Sequence, residues 1–251
     1  AIIQFKVEAA VIQRRPAFAM AERCLLHRLS QDRQQIQLDQ TYPLINGCFQ
    51  LVDPDDPYRL TAEEHELLQD LLSQFQRSPR LAAHMRFLVE HGTLYQRFND
   101  NLLYHGCLPC QENGDFLAFT FQQQPLAGKA LMDFFQQCLQ ESFAHPEKQT
   151  DLATDMIWYL WCGEGSSLFG KKAMKTFERY FIADRNTHKE QKNAYYSLRE
   201  NEDFCCRVLA AFGLPPTGHI INGHTPVKVR KGETPIKANG RLLVIDGGLS
   251  R

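Results

Sequence analysis

Residues 218–248 read GHIINGHTPVKVRKGETPIKANGRLLVIDGG. Short apolar or β-branched runs (HIIN, VKVR, IKA, RLLVID) alternate here with Gly, Pro and Asn punctuation. That pattern predicts strands joined by tight connections. Asn239-Gly240 between IKA and RLLVID is the dipeptide of a type I′ hairpin, because both central residues of that turn need positive φ. His224 follows the first strand directly after a glycine, and Asp246 closes the last strand before Gly247 and Gly248.

Working upstream, NLLYHG (101–106) repeats the arrangement of a buried strand, a histidine (His105) and a glycine, and FLAFTF (116–121) predicts another strand. Between these strands and the C-terminal ones lies helical periodicity: about 126–142, TDLATDMIWYLW, about 173–182 and about 195–212. Nearer the start, Thr61 and Glu64 form a capping box ahead of EEHELLQDLLSQF. Ser78-Pro79 restarts a helix expected to run to about Arg97. Residues 7–29 have helical spacing broken at Pro16, and IQL and CFQLV read as short strands. The fold class expected is α/β, a mixed β-sheet with flanking helices.

Composition agrees with a globular protein. The 251 residues hold 28 Lys+Arg against 29 Asp+Glu, with 43% hydrophobic and 23% charged. Near-zero net charge gives no electrostatic case for nucleic acid or an anionic membrane as partner. No apolar run reaches the ~20 residues of a spanning helix. The eight cysteines include one CxxC, Cys107–Cys110, with no second pair to complete a zinc site. They are expected to be reduced thiols of a cytoplasmic protein. The chain opens at Ala1 straight into an apolar run and closes just beyond LLVIDGG, which reads as an internal piece of something longer.

Two imidazoles at strand ends could share one metal ion if their strands meet at the same sheet edge, and neutral imidazole suits Mn²⁺, Fe²⁺ or Zn²⁺. Each alone reads first as a hydrogen-bonded strand-terminal residue. Asp246 is a candidate to orient a ligating histidine from behind, or simply to stabilise a turn. The stretch from Gly165 through Lys172 nearly spells a nucleotide-binding loop, but Lys172 stands where Mg²⁺ needs a hydroxyl. It reads better as a basic loop that holds a phosphate or turns the chain. Arg179, Arg185, His188, Lys189 and Lys192 form a basic stretch, offset by Glu178, Asp184 and Glu190; a solvated face is the default reading.

LLYHG and GHTP resemble the histidine motifs of calcineurin-like metallophosphoesterases. The longer runs WYLWCGEGSSLFGKKAMKTFERYF, THKE and INGHTPVKVRKGETPIKANGRLLVIDGGLS resemble the class III fructose-1,6-bisphosphatases of bacteria, as does AIIQFKVEAAVIQRRPAFAM. The resemblance implies a partial phosphoesterase sandwich: residues 1–251 as the C-terminal portion of such a domain, with a helical insertion at about 125–213. It implies a binuclear Mn²⁺ centre in which His105 and His224 bind one ion. It also implies a small sugar bisphosphate as substrate and, as a further expectation, a homo-oligomer. The family's D-x-H, GD-x-x-DR and GNH motifs do not occur in these residues, so the remaining ligands and the catalytic acid are expected upstream and the chain alone is expected to be inactive. Lys171, Lys172, Arg179 and Lys228 are candidates for substrate phosphate by position. Two other readings stay open: a phosphoesterase acting on a phosphoprotein or dinucleotide polyphosphate, and a non-catalytic module.

Overall fold

The structure is a computed structural model that describes residues 2–121 and 123–246; Gly247 and Gly248, read above as part of a turn, lie outside the described residues. In chain order the elements are α1 (Ile2–Arg14), β1 (Gln35–Gln37), β2 (Thr41–Pro43), α2 (Ala62–Arg77), α3 (Pro79–His91), β3 (Tyr95–Phe98), β4 (Asn101–Tyr104), β5 (Phe119–Phe121) and β6 (Gln124–Leu126), followed by α4 (Gly128–Ala144), α5 (Leu152–Cys162), α6 (Thr176–Phe181), α7 (Tyr195–Leu198), α8 (Glu202–Ala211), β7 (His219–Asn222), β8 (Ile236–Lys237) and β9 (Leu242–Val244). They divide into two compact units. One takes residues up to Glu90 together with Met174–Glu190, and the other takes His91–Ala173 and the described residues from Gln191 onward.

The first unit is held by aromatic packing. Phe5 of α1 meets Phe177 of α6 edge-on at 5.3 Å, and Phe49 meets Phe181 at 4.7 Å. Ile36 of β1 and Tyr42 of β2 join the same core. The capping box forms as expected, and Glu64 also takes the Lys6 ammonium at 2.7 Å. Arg23 is buried against Glu8 at 2.7 Å, and its guanidinium also donates to the Met174 carbonyl. Leu67, Leu71 and Phe75 of α2 and Phe87 and Leu88 of α3 lie exposed.

The second unit is built on a five-stranded mixed sheet in the order β3-β4-β7-β9-β8. The three central strands are parallel, and each edge strand is antiparallel to its neighbour. Leu102, Ile220, Leu242 and Val244 are fully buried along it. Helix α8 packs on β7, and α4 packs on α5 and α8. The expected hairpin joins β8 to β9: Asn239 and Gly240 have φ of 52° and 93°, closed by the Arg241 N–H donating to the Ala238 carbonyl.

Several local expectations are corrected. The helix expected to reach Arg97 stops at His91, and β3 follows from Tyr95. The expected helix over 195–212 is two helices, since Asn201 caps α8 by accepting the Phe204 N–H at 3.0 Å. Past Pro16 the chain takes short 3₁₀ turns instead of resuming α-helix. CFQLV is a turn, with the Val52 N–H donating to the Phe49 carbonyl. VKVR ends in a 3₁₀ turn stopped by left-handed Gly232. FLAFTF contributes strand only from Phe119.

Candidate functional site

The parallel pairing decides the site. β4 and β7 run in register with Tyr104 opposite Asn222, and β7 and β9 with Asn222 opposite Val244. His105 is therefore one residue past the end of β4, and His224 is two past β7, level with Asp246 two past β9. All three reach the carboxyl edge of the parallel strands, where open α/β sheets bind ligands.

The chain turns sharply to present His224. The Gly223 N–H donates to the His105 carbonyl at 2.8 Å, and the Thr225 N–H donates to the Gly223 carbonyl at 2.8 Å. That three-residue turn holds His224 at φ 66°, a left-handed conformation that stores roughly 1–3 kcal/mol when a non-glycine residue adopts it. Such strain persists where the surroundings over-determine it, and here they aim an imidazole. His105 Nε2 and His224 Nδ1 are 3.2 Å apart, with the rings edge-to-face at 5.1 Å. The contact requires that one nitrogen carry the hydrogen while the other accepts it. Burial, reinforced by His105, lowers the His224 pKa below the usual imidazole value and favours the neutral ring.

The pair suits a metal geometrically. Two nitrogens each ~2.1 Å from one cation and at roughly a right angle stand ~3 Å apart. Among the described residues no group of three or more His, Cys, Asp and Glu converges on a single point, so the two rings supply only part of a coordination shell. They line a cavity of about 450 Å³ with Thr93, Gln96, Ile245 and Asp246. Asp246 acts on His224 through its charge, while its backbone carbonyl accepts the Val227 N–H.

Buried polar residues that the sequence reading passed over fix the two histidine loops. Asn222, 1% exposed, donates from Nδ2 to the Gly106 carbonyl at 3.0 Å and to the Tyr195 hydroxyl at 2.7 Å. Tyr195 in turn bonds the Tyr104 hydroxyl at 2.7 Å. The Asn193 side-chain oxygen accepts the N–H groups of Cys110 and Tyr195. A polar residue inside the apolar run HIIN was the available signal for Asn222.

The glycine-rich loop spends four of its backbone donors within the protein. The Gly165 N–H donates to the Tyr159 hydroxyl, the Ser166 N–H to the Gly163 carbonyl, and the Leu168 and Phe169 N–H groups to the Ser166 hydroxyl. Of the positional candidates for phosphate, Lys172 and Lys228 line a second cavity in this unit, and the charge of Lys171 is felt at His224. Arg179 belongs to the other unit, where it pairs with Glu190 at 3.0 Å.

A family model described as firmicute fructose-1,6-bisphosphatase matches residues 1–251. Among curated relatives, the class 3 fructose-1,6-bisphosphatase of Enterococcus faecalis is 56% identical over the whole chain, which covers 40% of that protein. Those of Bacillus velezensis and Latilactobacillus sakei are each 54% identical over the whole chain, which covers 40% and 39% of them. The chain thus spans about two-fifths of the length of these relatives. No solved structure matches. Matched throughout by the family model and more than half identical to these enzymes, the chain belongs to the firmicute fructose-1,6-bisphosphatase family.

Proposed function

We propose that this chain supplies part of the metal centre of a phosphomonoester hydrolase that converts fructose 1,6-bisphosphate and water to fructose 6-phosphate and phosphate, a gluconeogenic step. The carrying observation is the 3.2 Å approach of His105 Nε2 and His224 Nδ1 at the carboxyl edge of the parallel strands, taken with the names of the relatives. These two nitrogens would hold one Mn²⁺ of a binuclear centre. Bound there, the ion pair supplies a hydroxide nucleophile at neutral pH and neutralises charge on the phosphoryl oxygens. The chain's own part is positional. The strained turn holds the His224 ring, Asn222 fixes the backbone behind both histidines, and the Asp246 carboxylate biases the charge of the His224 ring. In this reading Lys171, Lys172 and Lys228 attract a phosphate-bearing substrate, which the charge of Lys171 at His224 supports.

The same reading makes residues 1–251 the C-terminal portion of a metallophosphoesterase domain. The location of α4 to α8 between the neighbouring strands β4 and β7 supports a helical insertion at about 125–213. Eight unbridged cysteines accord with a cytoplasmic enzyme, and no helix among the described residues is long and apolar enough to cross a membrane. The test is phosphate release by the complete enzyme with Mn²⁺. Release should be much faster from fructose 1,6-bisphosphate than from a phosphopeptide or diadenosine tetraphosphate, and equal rates would overturn the substrate assignment.

A further inference from the structure

The larger cavity, about 1030 Å³, begins at the residue after His224: Thr225 and Pro226 lie in its wall. Arg199 also lines it and is 7% exposed, and its Nε and Nη1 have no hydrogen-bond partner. A buried guanidinium without a counter-charge is strongly destabilising. Its visible compensation is the Tyr196 ring 5.1 Å away, and a cation–π contact alone does not replace a counter-charge. The Lys192 ammonium stands over the same ring at 5.3 Å. Burial and the neighbouring charges of Arg199 and Lys228 push its pKa down, against the opposing charge of Glu233.

Carboxylates line the cavity but leave Arg199 unpaired. Glu200 is committed to Lys237 at 2.7 Å, and Glu233 accepts the backbone N–H of Lys228 at 2.9 Å. Among the described residues, neither Glu112 nor Glu164 forms an ion pair with Arg199 or Lys192. The missing group is an anion able to accept several donors, and a phosphate monoester meets that need.

We propose that this cavity holds the second, unreacting phosphate of the substrate, with Arg199 as the central donor and Lys192 and Lys228 beside it. The assignment rests on the sugar-bisphosphatase reading and extends it from the reacting phosphate to the distal one. A separate phosphorylated effector has the same chemistry, so the test must separate the two sources.

In the complete enzyme, Arg199→Gln and Lys192→Gln are compared with wild type on fructose 1,6-bisphosphate and on fructose 1-phosphate, which lacks the distal group. Lys192 is on the surface, so its variant keeps the test open if Arg199→Gln fails to fold. The expected result is a loss of roughly 10- to 100-fold in kcat/KM on the bisphosphate, carried mainly by KM, with a loss on fructose 1-phosphate at least tenfold smaller. Equal losses on the two substrates would assign Arg199 a structural role and overturn the proposal. Unchanged kinetic constants with loss of response to a phosphorylated effector would overturn it in favour of a regulatory site. A wild-type preference for the bisphosphate that survives in both variants overturns this site alone. A wild type with no preference overturns the bisphosphatase reading as well.

Discussion

Asn222 donates from its side chain to the backbone carbonyl of Gly106 at 3.0 Å, so the strand that leads to His224 is tied directly to the residue after His105. The same Nδ2 reaches the Tyr195 hydroxyl. The two imidazoles therefore approach each other over a fully buried polar clamp.

Asn222→Ala removes both donors and leaves the Gly106 carbonyl unanswered in the interior. Destabilisation of about 1–3 kcal/mol is expected, read from urea unfolding of the complete enzyme, together with weaker Mn²⁺ binding. Asn222→Asp should cost more, since it sets a buried carboxylate against a carbonyl oxygen. Wild-type stability in both variants would remove the clamp from the account.

Gly106→Ala tests close backbone approach. A Cβ there would lie 2.3 Å from the Ser167 carbonyl oxygen, a backbone atom that cannot step aside, so a loss of about 1–3 kcal/mol is expected along with displacement of His105. Gly47→Ala meets only the flexible end of Gln50 at 3.3 Å and should change stability by less than ~0.5 kcal/mol. Equal midpoints in thermal unfolding would contradict the contact.

At position 224 the backbone preference can be read without any metal. Replacing His224 by Gly or by Ala removes the ring equally, but at φ 66° only glycine is free of the Cβ clash. His224→Gly should be more stable than His224→Ala by ~1–2 kcal/mol, measured by differential scanning calorimetry. The reverse order would show that the turn relaxes once the ring is gone.

The CxxC pair should behave as packing. Burial raises the Cys107 thiol far above its ordinary value and pushes Cys110 and Cys205 up to about 12, so at pH 8 they remain protonated and unreactive. Cys48 is exposed. Mass spectrometry after iodoacetamide treatment at pH 8 should find Cys48 labelled in the native protein, and Cys107, Cys110 and Cys205 labelled only after unfolding. Labelling of Cys110 at the rate of Cys48 would refute the burial.

The sheet and both histidines were legible because each histidine follows an apolar run and adjoins a glycine, which is how a strand announces its end. Their convergence was less legible: it depends on β4 and β7 pairing in parallel across the long helical segment between them, a long-range choice that local patterning does not encode. Arg199 and Asn193 were invisible for a related reason. In YYSLRE an arginine reads as surface, and only the fold reveals that Tyr196 and the cavity wall enclose it. The missed strand β3 had a local sign in Gly92, which the helical periodicity around it masked.

The central claim is that His105 and His224 bind one cation together. The most direct measurement is pulsed EPR of Mn²⁺ bound to the complete enzyme, reading the nitrogen modulation from coordinated imidazole in wild type, His105→Ala and His224→Ala. Two-imidazole modulation is expected in the wild type, with a reduction in each single variant. Modulation unchanged by both substitutions would contradict it.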